Sequence, residues 1–450
     1  MSDLDIILKI VSIFISLLLL LQSIFFKKLT GSFLHPAALF PLAWFYFTFI
    51  PLTILFFIPI SPVGVMFILV GSLAFSSSAL FFDWPRLMSR NRLKLNGWPF
   101  QKNSKPFIRF LLYCVSVLSC VFLIKHMHVQ GLAVTFDIGS LLKISGEHAL
   151  LSGQDRLIGN IYKTPSLVFA YFASALGGYI YRSNINLSRQ MSLILFSFFP
   201  SILVVILTSG KLIFFYSITF FLATMFLDKI HKSEFHLIGS INIKKSAIGL
   251  LIFLSVISFS IISRTTQSGE IEDMLPLVSY AFDTFFNYTM AQTYALSDFL
   301  SYYFKIKDGQ MYDTNLLSNG AYTFNGVFNQ FGYGKELPLG LYVESYNYND
   351  RLSTNIFTGF RGIIEDFGVI GSVIFMFLFG FMSNINFYFL LKNKSIPCIS
   401  SAVYCITVVY IFSFYLLSIF TSRWSFLLLA LLSILFFIES HKFKIRKHKS

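Results

Sequence analysis

Charge is what this chain has least of: Asp, Glu, Lys and Arg together make up 12% of its 450 residues. A soluble domain covers its surface with about 25% charged residues, so a water-soluble globule is excluded. Acidic residues are the scarcer sign, 21 against 35 Lys and Arg, which leaves a net charge of +14. Cysteine numbers only four. Cys114, Cys120, Cys398 and Cys405 lack CxxC spacing and lie in or beside apolar runs, which makes them small packing residues rather than a disulfide or thiolate-metal framework. HExxH, DxD, Walker A and a GxGxxG after a strand are all missing, so neither a metal nor a nucleotide cofactor is expected. No repeat with a period of about 20–50 residues is visible, which argues against a solenoid.

What the chain does have is hydrophobicity, 55% of its residues, with 56 Phe among them. Apolar runs of about 20 residues recur, each able to cross about 30 Å of hydrocarbon as a helix. They predict helices at 6–26, 33–57, 63–82, 108–124, 164–181, 191–208, 212–227, 246–263, 367–391, 397–419 and 424–439. The first run ends in Lys27 and Lys28 with no small-residue cleavage site, so it reads as a spanning helix and not a signal peptide. The expected fold is an all-α polytopic membrane protein of about eleven (10–12) transmembrane helices.

Basic residues divide the connections into two sets. Segments 27–32, 83–109, 182–190, 228–245, 392–394 and 441–450 hold 22 of the 35 Lys and Arg; of the acids only Asp83, Asp228 and Glu234 lie in them, with Glu439 at the inner end of the last helix. By the positive-inside rule that side is cytoplasmic, with the N-terminus out and the C-terminus in. The basic clusters then serve topology and contact with anionic lipid in the bilayer, and no nucleic-acid partner is expected. The expected organisation is an N-terminal bundle over 1–263 with a small outer loop at 125–163, a large outer loop over 264–366, and C-terminal helices with a basic tail over 367–450.

The large loop is the polar exception. Half of the 22 tyrosines lie in it. Tyrosine offers an apolar face and a hydroxyl, which suits sugar rings, while an interfacial aromatic belt is the structural alternative. Tyr333, Tyr342, Tyr346 and Tyr348, interleaved with Asn and Gly, are the candidate glycan surface. The 275–304 stretch has apolar residues at helical spacing, which fits a helix along the membrane surface or a hairpin dipping into it. The glycine-rich stretch 319–340 reads as irregular backbone.

Three constellations could carry chemistry. Arg361 with Glu365 and Asp366 puts a cation and a carboxylate four apart on one helical face, either as an active cluster or as an anchoring salt bridge. Lys211, Arg264, Arg351 and Arg423 stand with Arg361 at outer helix mouths, where orientation signals are not needed, and a shared pyrophosphate site or snorkelling anchors would explain them. His148, near Glu147, Asp155 and Arg156, is a further candidate base or a solvated loop histidine.

The segment TNIFTGFRGIIEDFGVIGSVIFMFLFG at 354–380 resembles the motif region of bacterial oligosaccharide repeat-unit polymerases, the Wzy-type O-antigen polymerases. The resemblance rests on Asn355, Thr358, Asp366, Phe367, Gly368 and Gly371. The turn at 208–211 is also similar, although an arginine is more usual where Lys211 stands. The resemblance implies a GT-C-like glycosyltransferase at the periplasmic face of the bacterial inner membrane. Its substrate would be undecaprenyl-pyrophosphate-linked oligosaccharide, with a chain-length regulator and a flippase as pathway partners. It further implies cations for the leaving pyrophosphate (Arg264, Arg351, Arg361, Arg423, Lys211). A base for the acceptor hydroxyl would be Glu365 or Asp366, with His148 behind them, and no metal. An O-antigen ligase-like enzyme or a lipid-linked oligosaccharide transporter are the alternatives.

Overall fold

The computed structural model describes residues 2–93, 105–135, 137–154, 156–181, 187–237, 254–263, 284, 286–306, 311–312, 318–334, 342–349, 352–392 and 397–447. In chain order its helices are α1 (Asp3–Thr30), α2 (Pro36–Ile54), α3 (Pro62–Ser77), α4 (Trp84–Leu93), α5 (Lys105–Val129), α6 (Ile138–Gly153), α7 (Lys163–Tyr181), α8 (Leu187–Thr208) and α9 (Lys211–His231). They continue with α10 (Leu254–Ser263), α11 (Gln292–Tyr303), α12 (Ala321–Gln330), α13 (Gly359–Lys392), α14 (Cys398–Ser413) and α15 (Trp424–Lys447). Two short strands, β1 (Tyr346–Tyr348) and β2 (Leu352–Thr354), form an antiparallel hairpin. The fold is all-α but for that hairpin among the described residues. Each of the eleven predicted apolar segments overlaps a described helix, although the 397–419 segment is helical only to Ser413. Seven of the described helices are long and apolar enough to cross a membrane.

The chain divides into two compact units, Met1–Gly97 with Lys232–Leu237 and Phe286–Ser450, and Trp98–His231 with Ile238–Phe285. The first unit is discontinuous because late helices pack back on early ones. One close approach is at Gly380 of α13, where an added Cβ would stand 2.1 Å from the Phe75 carbonyl oxygen of α3. Small residues let apolar helices come this near, and dispersion then replaces the absent hydrophobic drive in lipid. α11 enters the same unit. Gly64 of α3 faces Ser297, and nine of the twelve α11 residues are buried. The described helix of the 275–304 stretch is thus largely buried among its neighbours.

Lys9 of α1, wholly buried, fastens that packing. Its ammonium donates to the Ile58 carbonyl at 2.7 Å and to the Tyr294 hydroxyl of α11 at 2.5 Å. Tyr294 in turn donates toward the Pro51 and Leu55 carbonyls at 3.3 and 3.0 Å. Both carbonyls also accept from backbone amides at the C-terminal end of α2, Pro51 from Leu55 at 2.9 Å and Leu55 from Ile58 at 3.1 Å.

The 319–340 stretch corrects the sequence expectation of irregular backbone, because its first half forms α12. The reason is non-local. The Asp366 carboxylate accepts from the Tyr322 amide at 3.1 Å and from the Ser318 hydroxyl, doing for α12 what an N-cap side chain does. A local reading of glycine content cannot anticipate a cap supplied 44 residues later.

Candidate functional site

Arg361 is the third residue of α13 and is 1% exposed, an exceptional position for a guanidinium. Four aromatic rings enclose it. Its guanidinium carbon lies 3.9 Å from the Tyr342 ring centre, 4.2 Å from Phe357, 4.7 Å from Phe299 and 5.4 Å from Tyr312. Such faces attract a cation, each by roughly 0.5–2 kcal/mol. The rings arrive from separate elements: Phe299 from α11, Phe357 from the lead into α13, Tyr342 from the lead into β1. Tyr312 is held by a 2.7 Å hydrogen bond to Asp298. Tyr342 is itself stacked on Tyr322 of α12 at 5.3 Å and 15°. Burial pushes its phenol well above the ordinary range, with repulsion from Glu365 adding to the effect, so it stays protonated.

Two carboxylates neutralise the cation. Arg361 Nε donates to Glu365 Oε1 at 2.7 Å, the four-residue pairing expected from the sequence, and one Nη donates to Glu344 Oε2 at 3.3 Å. The other Nη is buried and has no hydrogen-bond partner among the described residues; the same holds for Asp366 Oδ2 and the Thr358 hydroxyl. Unmet polar atoms at this depth cost about 1–3 kcal/mol each, which a bound polar ligand or water would recover. Glu344 was not singled out from the sequence. It is a lone acid in a loop with no partner at diagnostic spacing, and only the fold brings it to Arg361.

Gly368 breaks α13 just beyond the cluster, at φ 72° and ψ 174°. Nothing lies within 4 Å of where its Cβ would stand, so it is this backbone conformation, nearly closed to other residues, that requires glycine. The break separates the short turn bearing Arg361, Glu365 and Asp366 from the apolar body of the helix.

The remaining sequence candidates are spread more widely. Arg423, exposed ahead of α15, donates to Asn329 Oδ1 at 3.1 Å. Tyr346 is buried at β1, Tyr348 is half-buried opposite Leu352, and Tyr333 is 81% exposed. Arg264, Arg351 and Asp155 lie outside the described residues.

Lys211 and His148 belong to the second unit. Lys211 opens α9 after a turn in which Ser209 takes a positive φ of 55°. The Ser209 hydroxyl pairs with those of Ser145 in α6 and Ser263 in α10, both at 2.7 Å, and Ser145 also reaches Ser263 at 3.2 Å. One helical turn beyond Ser145, His148 sits 4% exposed with its Nε2 3.4 Å from His126 Nε2. Burial, then repulsion from His126 and Lys163, lowers its pKa to about 4, so the ring is neutral at pH 7. That makes it a poor proton acceptor in this form.

Fold and cluster together define a class: a helical membrane protein with a caged, doubly paired arginine at the start of a broken apolar helix. No protein-family model, curated protein or solved structure matches the chain.

Proposed function

We propose that this chain polymerises undecaprenyl-pyrophosphate-linked oligosaccharide repeat units at the periplasmic face of a bacterial inner membrane. In this reading about eleven helices span the bilayer. The N-terminus is periplasmic, the C-terminus cytoplasmic, and the architecture GT-C-like. The growing chain passes from its lipid pyrophosphate to a hydroxyl of the incoming lipid-linked unit. The observation that carries the reading is the Arg361 cluster: a guanidinium with one unmet Nη, flanked by carboxylates, inside the segment that resembles the polymerase motif.

The reaction needs those parts. A pyrophosphate leaving group develops negative charge, which a preorganised cation in a water-poor site stabilises better than water does. Arg361 leads this role, with Arg351 and Arg423 as further contacts. The acceptor hydroxyl must lose a proton, and Glu365 and Asp366 beside Arg361 are the carboxylates first expected to take it. Of the tyrosines expected to meet sugar, Tyr333 is exposed and Tyr348 half-buried, while the Tyr342 face is taken by Arg361.

Deleting the gene and resolving the host's lipopolysaccharide on a gel tests the reading. A polymerase loss leaves core bearing a single repeat unit and removes the ladder above it. Bare core would assign a ligase instead, and an unchanged ladder would end both.

A further inference from the structure

Two acids pair with Arg361 and a third, Asp366, follows Glu365 in the chain, and their surroundings divide the work among them. Glu365 is bound to Nε at 2.7 Å and its side chain is 4% exposed, so it is fixed by the cation it orients. Asp366 is 2% exposed and its Oδ1 is occupied by the Tyr322 amide and the Ser318 hydroxyl as the cap of α12. Withdrawing either from its partners leaves a buried donor unmet. Glu344 is the most exposed of the three. Its side chain is 21% exposed, and its 3.3 Å contact with Arg361 is longer than the 2.7–2.9 Å of a strong charge-assisted bond.

The local backbone explains why Glu344 stands at this rim. Burial alternates along 342–346: Tyr342 and Tyr346 are buried, Glu344 is half-buried, and Val343 and Ser345 are exposed. After a bend at Val343 the chain leads into β1, where alternate side chains turn to one face. Tyr342 is clamped between Arg361 and Tyr322, and Tyr346 is paired in register with Thr354. Glu344 is thereby held between two anchored tyrosines, facing the guanidinium while its flanking residues meet solvent.

We propose that Glu344 is the catalytic base of the transfer, with Glu365 as the positioning residue that fixes Arg361; this rests on the polymerase reading above. The acceptor sugar hydroxyl attacks the anomeric carbon of the growing chain. Its proton passes to the Glu344 carboxylate as the new C–O bond forms. The bond from the anomeric carbon to the pyrophosphate oxygen breaks, and its electron pair leaves with undecaprenyl pyrophosphate. Arg361 holds Glu344 beside the point where that charge appears.

The test uses the full-length protein in proteoliposomes, with lipid-linked repeat units as donor and acceptor and chain extension as the readout. Glu344→Gln keeps an acceptor for Arg361, so its melting temperature should match wild type. Its kcat should fall by about 10²–10⁴-fold with KM within about twofold, and the acid limb of the wild-type pH profile should vanish. Glu344→Ala should recover activity with added formate, and Glu365→Gln should keep the acid limb. Glu344→Gln working within about threefold of wild type would overturn the assignment and leave the polymerase reading standing. So would a loss with the acid limb intact and no formate rescue. Absence of extension by the wild-type protein would overturn the polymerase reading itself, and this proposal with it.

Discussion

Arg361 and His148 are both more than nine-tenths buried, yet the two regions around them handle a titratable group in opposite ways. Around Arg361 the charge is kept: two carboxylates and four ring faces are gathered from α11, Tyr312, the hairpin lead, the lead into α13 and α13 itself. Around His148 the charge is refused, since its near neighbours are a second imidazole and the positive Lys163. The serine ring one turn away is neutral and satisfied by its own hydroxyls. A region built only for stability has no need of a caged ion pair, because apolar side chains of similar volume serve as well or better. The difference teaches where binding chemistry is to be sought: in the region that keeps its charge and leaves one guanidinium nitrogen unmet.

The sharpest way to break the comparison is at Arg361 itself. Arg361→Ala strands the Glu365 carboxylate and should destabilise the protein by about 3–5 kcal/mol, read as a lower melting temperature in detergent. Replacing the pair together, Arg361→Met with Glu365→Leu, should restore most of that stability while polymer formation stays absent. Recovery of both would reduce the cluster to an anchor.

The acid response of His148 gives an intermediate effect. Its pKa is about 4 in the folded protein against 6.5 for the free side chain, so between these values the unfolded chain binds the extra proton. Stability present above pH 6.5 is therefore lost as pH falls toward about 4, by up to about 2–3 kcal/mol. Melting curves of wild type and His148→Gln across this range should converge at acid pH. If they run parallel, the neutral-pocket description is wrong.

The smallest expected effect is in the serine ring. Ser263→Ala leaves the Ser145–Ser209 bond in place and should cost about 0.5–1.5 kcal/mol with polymer length unchanged. A loss of polymer with stability intact would move the chemistry into this region and undo the contrast.

Much of the fold was legible because helices in lipid declare themselves by apolar length alone. Arg361 and Glu365 were legible for the same local reason, a spacing of four on one helix. What escaped depends on distant partners. Lys9 looked like a stray cation until Tyr294 of α11 met it, 285 residues on. α12 hid in a glycine-rich stretch because its cap is Asp366, and Glu344 carried no spacing signal at all. Tyr342 was legible as a tyrosine with a face to offer, but not that Arg361 would lie against that face.

The most direct measurement is chain extension by the purified wild-type protein in liposomes, supplied only with undecaprenyl-pyrophosphate-linked repeat units. The account predicts a ladder of products rising by one repeat unit, with one undecaprenyl pyrophosphate released per step. Repeat units recovered unextended, with the protein folded and inserted, would contradict it.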